Sequence, residues 1–218
     1  MLSSLFRGAR RVDFCWLAVW GALIAAAAYC PAASAADVYR VEEDWELVVA
    51  DPDAASVAPQ VTTSISPLGH INGLHATFEI NHRTVPSYAA GGLHFHVWNG
   101  ESRLSTRDHT SSSIVGQTGE VIRWTQRMTL IDRTLWLSVR NGTSSTWDDF
   151  GAEGQLRVAL ETNLNNLNGY SPDVSVAQSG IGFASNRVQS LVLKRVRRTY
   201  DNGQVAEDST PRVVHQHE

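Results

Sequence analysis

The chain has 218 residues, of which 43% are hydrophobic and 18% are charged, with 16 Gly, 7 Pro and 2 Cys. This composition is that of a globular protein, and it excludes a collagenous or wholly disordered chain. The formal net charge is -4, so the chain has no excess of basic residues. We therefore expect no nucleic-acid partner.

Residues 1–36 have the features of a secretory signal peptide. Three arginines precede an apolar stretch from Phe14 to Tyr29, and the small residues of Ala33-Ser34-Ala35 fit a signal peptidase site. We expect cleavage after Ala35 or Ala36, export to the periplasm or the extracellular space, and no membrane attachment afterwards. The alternative is an uncleaved membrane anchor, because the apolar stretch could nearly span a bilayer.

Both cysteines, Cys15 and Cys30, lie in this segment. The exported chain would therefore have no disulfide, no thiol nucleophile and no cysteine ligand for a metal. The residues that follow are numerous enough for one domain with a substantial core. We place a β-sandwich domain at 37–201. We predict a disordered tail at 202–218, because that segment is charged and poor in apolar residues.

Alternation of apolar and polar residues, typical of a strand with one buried face, recurs along the chain. In chain order it predicts strands over 44–49, 75–81, 93–98, 123–130, 134–140, 155–161 and 191–196. Asn-Gly dipeptides at 99–100, 141–142 and 202–203 predict turns or loops, and no helix of three turns is expected. Many short strands separated by turns favour an all-β sandwich or barrel.

The closing part of the chain resembles a known family. Residues 179–186 (SGIGFASN), followed by an apolar alternation over 188–196, are similar to the closing strands of concanavalin A-like lectin/glucanase jelly rolls. The resemblance implies an antiparallel jelly-roll β-sandwich whose final strand returns beside the N-terminal one. The chain lacks the paired-carboxylate strand of laminarinase-like hydrolases and the motifs of jelly-roll alginate lyases. No catalytic residue is therefore carried over.

Outward-facing positions on the predicted strands carry side chains suited to glycan binding. Tryptophan rings stack on the apolar faces of sugars, whereas carboxylates, amides and guanidinium groups form hydrogen bonds with the hydroxyls. We predict a ligand-binding groove on a concave sheet, formed by Glu79, Asn81, His94, His96, Trp98, Trp136, Arg140 and Glu161. The alternative is that these are solvated strand positions, with the tryptophan rings packed under loops.

The sharpest local feature is His94-Phe95-His96. Residues i and i+2 of a strand point to the same face, so both imidazoles could bind one metal ion. A third ligand such as Glu79 or His82 would be required. The alternative is a pair of surface histidines beside Trp98, and on balance we assign no metal and no cofactor.

Three functional hypotheses follow. The first is a secreted, non-catalytic carbohydrate-binding (lectin-like) or cell-surface interaction module, whose partner is a polysaccharide or other glycan. The second is a carbohydrate-active enzyme, either a glycosidase using Glu79 with Glu161 or a lyase using His96 as base with Arg140 neutralising a uronate. The third is a structural envelope protein in which no groove matters. The sequence favours no particular oligomeric state.

Overall fold

The computed structural model describes residues 36–50, 60–81, 92–110, 115–182 and 185–217. The predicted signal peptide, apart from Ala36, lies outside these residues, and so does His82. Within the described ranges, no helix combines the length and apolar character that crossing a membrane requires.

The described residues form twelve strands and two short helical segments. The helical segments are α1 (Pro172–Ala177) and a single 3-10 turn (Ser185–Arg187), so neither reaches three turns. The strands are β1 (Val38–Val49), β2 (Gln60–Ile65), β3 (Leu74–Asn81), β4 (Gly92–Asn99), β5 (Ser102–Thr110), β6 (Val121–Ile131), β7 (Thr134–Ser144), β8 (Arg157–Glu161), β9 (Gly180–Gly182), β10 (Val188–Tyr200), β11 (Val205–Asp208) and β12 (Arg212–Gln216).

The strands form two antiparallel sheets, which make a β-sandwich and confirm the predicted all-β fold class. The large sheet has the order β11-β10-β1-β6-β7-β8, and β12 also pairs with β10. The small sheet has the order β5-β4-β3-β2-β9. Strand β10 runs antiparallel to β1, with Leu191 opposite Leu47. The long closing strand therefore lies beside the N-terminal strand.

The core lies between the inner faces of the two sheets. Trp45 and Trp124, on neighbouring strands of the large sheet, stack with ring centroids 6.4 Å apart. Phe78 of the small sheet meets Trp124 edge-on at 5.5 Å, so aromatic rings join the two layers. Complete burial of a side chain such as Phe78 contributes roughly 1.5–3 kcal/mol to the free energy of unfolding.

The predicted turn at Asn141-Gly142 is wrong, because these residues lie within β7. Asn141 has a φ of 52°, and β7 has one residue more than β6 between the pairs on either side of it, which is a β-bulge. A Cβ atom at Gly142 would lie 2.3 Å from the ring of Phe150. Glycine is therefore required where the bulge passes over this ring.

The C-terminal segment also differs from its prediction. Residues 202–218 were expected to be disordered, but they include β11 and β12, both paired with β10. Ion pairs add to the main-chain hydrogen bonds, since Arg212 lies 2.6 Å from Asp208 and Arg195 lies 3.3 Å from Glu207. An edge strand needs only one backbone partner, so a segment poor in apolar residues can still be ordered.

Candidate functional site

The structure brings together five of the eight predicted site residues. Glu79 and Asn81 on β3, and His94, His96 and Trp98 on β4, share the outer face of the small sheet. They point outward because the residues between them, such as Phe78 and Phe95, fill the core. All except Trp98 are more buried than an open groove would leave them, with Asn81 at 0% and His96 at 6% exposure.

The other three predicted residues lie on the large sheet. Trp136 and Arg140 are on β7 and Glu161 is on β8, all on the outer face of that sheet. The two outer faces point away from each other, and packed sheets are about 10 Å apart. The predicted single groove of eight residues is therefore wrong. The Arg157 guanidinium also lies 3.8 Å from the centre of the Trp136 ring, which covers one side of that ring.

This separation affects both predicted catalytic pairs. Glu79 and Glu161 lie on opposite outer faces, whereas the two carboxyl groups of a glycosidase flank one bond at roughly 5–10 Å. His96 and Arg140 are separated in the same way. Neither pair can act on a single substrate molecule, so both pairings are wrong.

A compact polar cluster forms on the outer face of the small sheet. We call Glu79, His94, His96, Thr106 and Asp108 the His–Glu cluster. Its last two members are on β5, opposite His96 and His94 respectively. The Nδ1 atom of His94 lies 2.9 Å from Oδ1 of Asp108, and Nδ1 of His96 lies 2.9 Å from Oγ1 of Thr106. These contacts orient the two imidazole rings, which stack with centroids 6.0 Å apart.

Glu79 and His96 form the electrostatic centre of the cluster. Their closest atoms, Oε2 and Nε2, are 4.0 Å apart, and their side chains are only 11% and 7% exposed. Burial raises the pKa of Glu79, against the opposing effect of hydrogen bonds with Asn81 and Gln60. Burial is also the largest cause that lowers the pKa of His96. Both shifts favour a protonated carboxyl beside a neutral imidazole.

Trp98 extends the cluster along β4. Its Nε1 atom donates a hydrogen bond to Oγ1 of Thr77 at 3.1 Å. The indole stacks on His75 at 6.5 Å and meets His96 edge-on at 5.9 Å, and the Arg103 guanidinium lies 5.8 Å from the ring centroid. The half-buried ring is thus held in a fixed orientation by polar and aromatic neighbours.

A groove continues this surface across β2 and β9, with Gln60, Thr62, Gly180 and Gly182 in its lining. Thr62 is opposite Glu79 on one side and Gly180 on the other, so these residues form one cross-strand row. A Cβ atom at Gly180 would meet nothing within 4 Å. The floor of the groove is therefore open backbone at Gly180, with Thr62 between it and Glu79.

The metal hypothesis receives no third ligand within the described part of the chain. No group of three or more His, Cys, Asp or Glu side chains among the described residues is arranged to hold a metal ion. His94 and His96 do share a face, as i and i+2 residues of a strand must. Their Nδ1 atoms contact Asp108 and Thr106, so the pair belongs to a hydrogen-bonded cluster.

The sequence pattern did not reveal the two cluster residues on β5, Thr106 and Asp108, or Arg103 beside Trp98. This strand is an edge strand without apolar alternation, so the pattern that predicts the other strands is absent from it. One signal was available. The Asn99-Gly100 turn directly follows β4, and a tight turn of this type implies a hairpin partner for His94 and His96.

Glu43, a fully buried carboxyl on the inner face of the large sheet, was not among the predicted site residues. The Tyr170 hydroxyl donates to its Oε1 at 2.7 Å, and Nε1 of Trp45 donates to its Oε2 at 3.1 Å. Burial raises the pKa of Glu43 to about 7, despite these hydrogen bonds. Its position could have been predicted from the alternation of β1. Glu43 precedes the core residues Trp45 and Leu47 at two-residue spacing, so its side chain points to the same inner face.

No protein-family model matches the chain, and no curated protein matches its sequence. Among solved structures, it is similar to a crystal structure of scytalido-glutamic peptidase with a peptide based transition state analog. The identity is 13% and the TM-score is 0.33, with 82% of this chain and 83% of that chain covered. A likeness of this size carries no conclusion about activity or site residues.

Proposed function

We propose that this protein is an exported, non-catalytic carbohydrate-binding (lectin-like) module with the jelly-roll topology of concanavalin A-like proteins. The proposal rests on one observation. A carboxyl, an amide, two imidazoles and an indole lie side by side on the outer face of the small sheet. The return of β10 beside β1 supports the jelly-roll assignment, and the signal-like sequence of residues 1–36 supports export.

The pKa shifts of Glu79 and His96 favour an uncharged polar ligand at these two side chains. Burial favours the neutral forms of Glu79 and His96, so neither side chain needs a counter-charge from the ligand. A protonated carboxyl can both donate and accept hydrogen bonds, as sugar hydroxyls require. The indole of Trp98 supplies an apolar surface for the ring of a sugar. Together these groups suit a neutral glycan.

The groove along β2 and β9 gives the site length. Gly180 and Gly182 present no side chains where the floor passes Thr62 and Gln60. A glycan chain bound at Trp98 and Glu79 can therefore continue towards β9 and form hydrogen bonds with Gln60 and Thr62. This arrangement favours an oligosaccharide over a single sugar.

The test is retention of the purified chain on neutral, acidic and sulfated polysaccharides. We expect retention on a neutral polysaccharide, and we expect Trp98→Ala to weaken it about tenfold or more, since stacking on the indole would be lost. Trp136→Ala is the matched control. This variant removes a side chain of the same type from the opposite face of the sandwich, so it should leave retention unchanged.

Two results would overturn the proposal. One is the absence of retention on every class of polysaccharide. The other is equal retention of the parent and Trp98→Ala, which would remove the outer face of the small sheet from binding. Circular dichroism of each variant checks that the β-sandwich is intact.

A second candidate function is a carbohydrate-active enzyme, and one observation favours it. Glu79, with its raised pKa, and His96, with its lowered pKa, lie 4.0 Å apart, which is the combination needed for a general acid and a general base. Released reducing or unsaturated ends, assayed in the same retention tubes, separate the two candidates. Product that disappears in Glu79→Gln while retention persists would establish the enzyme in place of the non-catalytic module.

A further inference from the structure

Four arginines occupy adjoining positions on the outer face of the large sheet. They are Arg40 of β1, Arg127 of β6, Arg140 of β7 and Arg157 of β8, and we call them the arginine patch. Ser138 lies between Arg127 and Arg157 in one cross-strand row. Arg140 is two residues after Ser138 in β7, so its side chain points to the same outer face. The small serine leaves space between the larger side chains around it.

Other arginines on this outer face have carboxylate partners. Arg123 binds Glu46, with Nη2 and Oε2 2.7 Å apart. Arg195 binds Asp44, with Nη2 and Oδ2 2.6 Å apart. The part of the outer face around Asp44 and Glu46 is therefore neutralised by these two carboxylates.

The arginine patch is not neutralised in this way. No described carboxylate lies within 4.0 Å of Arg40, Arg127 or Arg140, whereas Arg157 lies 4.0 Å from the exposed Glu153. The Nε atoms of Arg40 and Arg157 are buried, and no described residue accepts a hydrogen bond from either. Guanidinium groups in this state have unused donors that an anion could satisfy.

The positive charges of the arginine patch repel one another, and this repulsion acts on Arg127. Burial lowers the pKa of this guanidinium, and Arg140, Arg40 and Arg157 lower it further against the opposing charge of Glu42. Placing like charges close together costs free energy, which a bound anion would offset. Arg127, Ser138, Arg140 and Arg157 also line one small cavity of about 10 Å³, together with the exposed Glu153, so the arginine side chains lie around a common space.

We propose that the arginine patch binds a tetrahedral oxyanion, carried by the ligand as a sulfate or phosphate ester. A guanidinium donates paired hydrogen bonds to two oxygens of such a group, and this geometry is why arginine favours it. Three peripheral oxygens can serve three guanidinium groups at once, whereas the two oxygens of a carboxylate cannot. Ser138, which lines the same cavity, carries a hydroxyl that can also donate.

This site is independent of the proposed glycan site. It lies on the opposite face of the sandwich, and its charge favours an anion where the His–Glu cluster favours a neutral ligand. Trp98→Ala should therefore leave oxyanion binding unchanged. Failure of one proposal does not entail failure of the other.

The experiment is calorimetric titration of the purified protein with inorganic sulfate, inorganic phosphate and acetate at constant ionic strength. We expect saturable binding of sulfate or phosphate and weaker binding of acetate. Whichever tetrahedral ion binds more tightly identifies the ester. Arg127→Gln and Arg140→Gln should each weaken binding about tenfold, because each removes a charged donor pair. Arg123→Gln is the matched control, since it removes an arginine that Glu46 already engages.

Arg127→Lys separates the guanidinium geometry from the charge. It keeps the positive charge but not the paired donors, so it should bind the oxyanion less tightly than the parent while melting at a similar temperature. Equal losses in Arg123→Gln and Arg140→Gln would overturn the proposal, because they would indicate only a general attraction of charge. Absence of saturable binding, or acetate binding as tight as sulfate and phosphate binding, would also overturn it.

Discussion

Glu43 and Glu79 are both buried carboxyls with raised pKa values, but they lie in different regions of the sandwich. Glu43 is between the sheets, where the Tyr170 hydroxyl and the Trp45 indole donate to its two oxygens. Glu79 is on the outer face of the small sheet, beside the imidazole of His96 and a groove that continues past Thr62.

The difference between these regions shows why burial alone does not identify a functional carboxyl. The partners of Glu43 are core side chains that no ligand can replace without opening the sandwich. Glu79 has a titratable neighbour, His96, and shares a cross-strand row with the open backbone of Gly180 on the far side of Thr62. A perturbed pKa points to a site of binding or catalysis only where a ligand can reach the group.

The largest expected effect is on the pH dependence of stability, through Glu43. Its folded-state pKa of about 7 exceeds the ordinary value of 4.5, so the folded protein holds this proton more tightly than the unfolded chain. Below pH 4.5 the carboxyl is protonated in both states, and its titration does not lower the free energy of unfolding. As the pH rises from 4.5 towards 7, the unfolded chain loses the proton first, so the free energy of unfolding falls. We expect a fall of about 3 kcal/mol over this range, which Glu43→Gln should remove.

Urea denaturation at a series of pH values measures this fall. Glu161→Gln is the control, because it makes the same substitution at an exposed residue of β8 and should leave the fall in place. If Glu43→Gln and the parent show equal falls between pH 4.5 and 7, Glu43 is not the group responsible.

A smaller effect in the same direction is expected for Glu79. Burial raises its pKa, so stability should again decline as the pH rises above the ordinary range of a carboxyl. Glu79→Gln should flatten the same urea series less than Glu43→Gln, because its side chain retains 11% exposure. A larger flattening by Glu79→Gln would reverse the comparison and make the outer cluster the main source of pH dependence.

The smallest effect is expected at Asp44, a carboxyl on the outer face of the large sheet. It accepts hydrogen bonds from Arg195 at 2.7 Å and from Thr125 at 2.7 Å, with a side chain that is 29% exposed. Asp44→Asn should lower the free energy of unfolding by about 1 kcal/mol or less, as is usual for ion pairs open to solvent. A loss greater than the fall of about 3 kcal/mol assigned to Glu43 would contradict this ranking.

The salt dependence of stability further tests the Asp44 prediction. At about 1 M sodium chloride, screening acts over roughly 3 Å, so most of the difference between Asp44→Asn and the parent should disappear. The fall assigned to Glu43 should persist in the same buffer, because salt does not penetrate the interior. Urea denaturation with and without salt measures both differences.

Part of the fold could be predicted from local pattern. The alternations over 75–81 and 93–98 correspond to β3 and β4, and they correctly place Glu79, His94 and His96 on one face. Alternation succeeds because side chains of a strand point to opposite faces with a period of two residues. It failed for β5, β11 and β12, which are stabilised by backbone pairing and ion pairs without an apolar stripe.

Local sequence pattern is enough to indicate the all-β class, the inward or outward direction of side chains on the main strands, and the chemical types on the outer faces. Which strands share a sheet depends on long-range packing. This packing separated Trp136, Arg140 and Glu161 from the His–Glu cluster, and it brought Asp108 to His94 and Tyr170 to Glu43. The reason is physical. The face to which a strand side chain points follows from the alternation of adjacent residues. Backbone hydrogen bonds between strands are chemically alike for every partner strand, so long-range packing must select the partner.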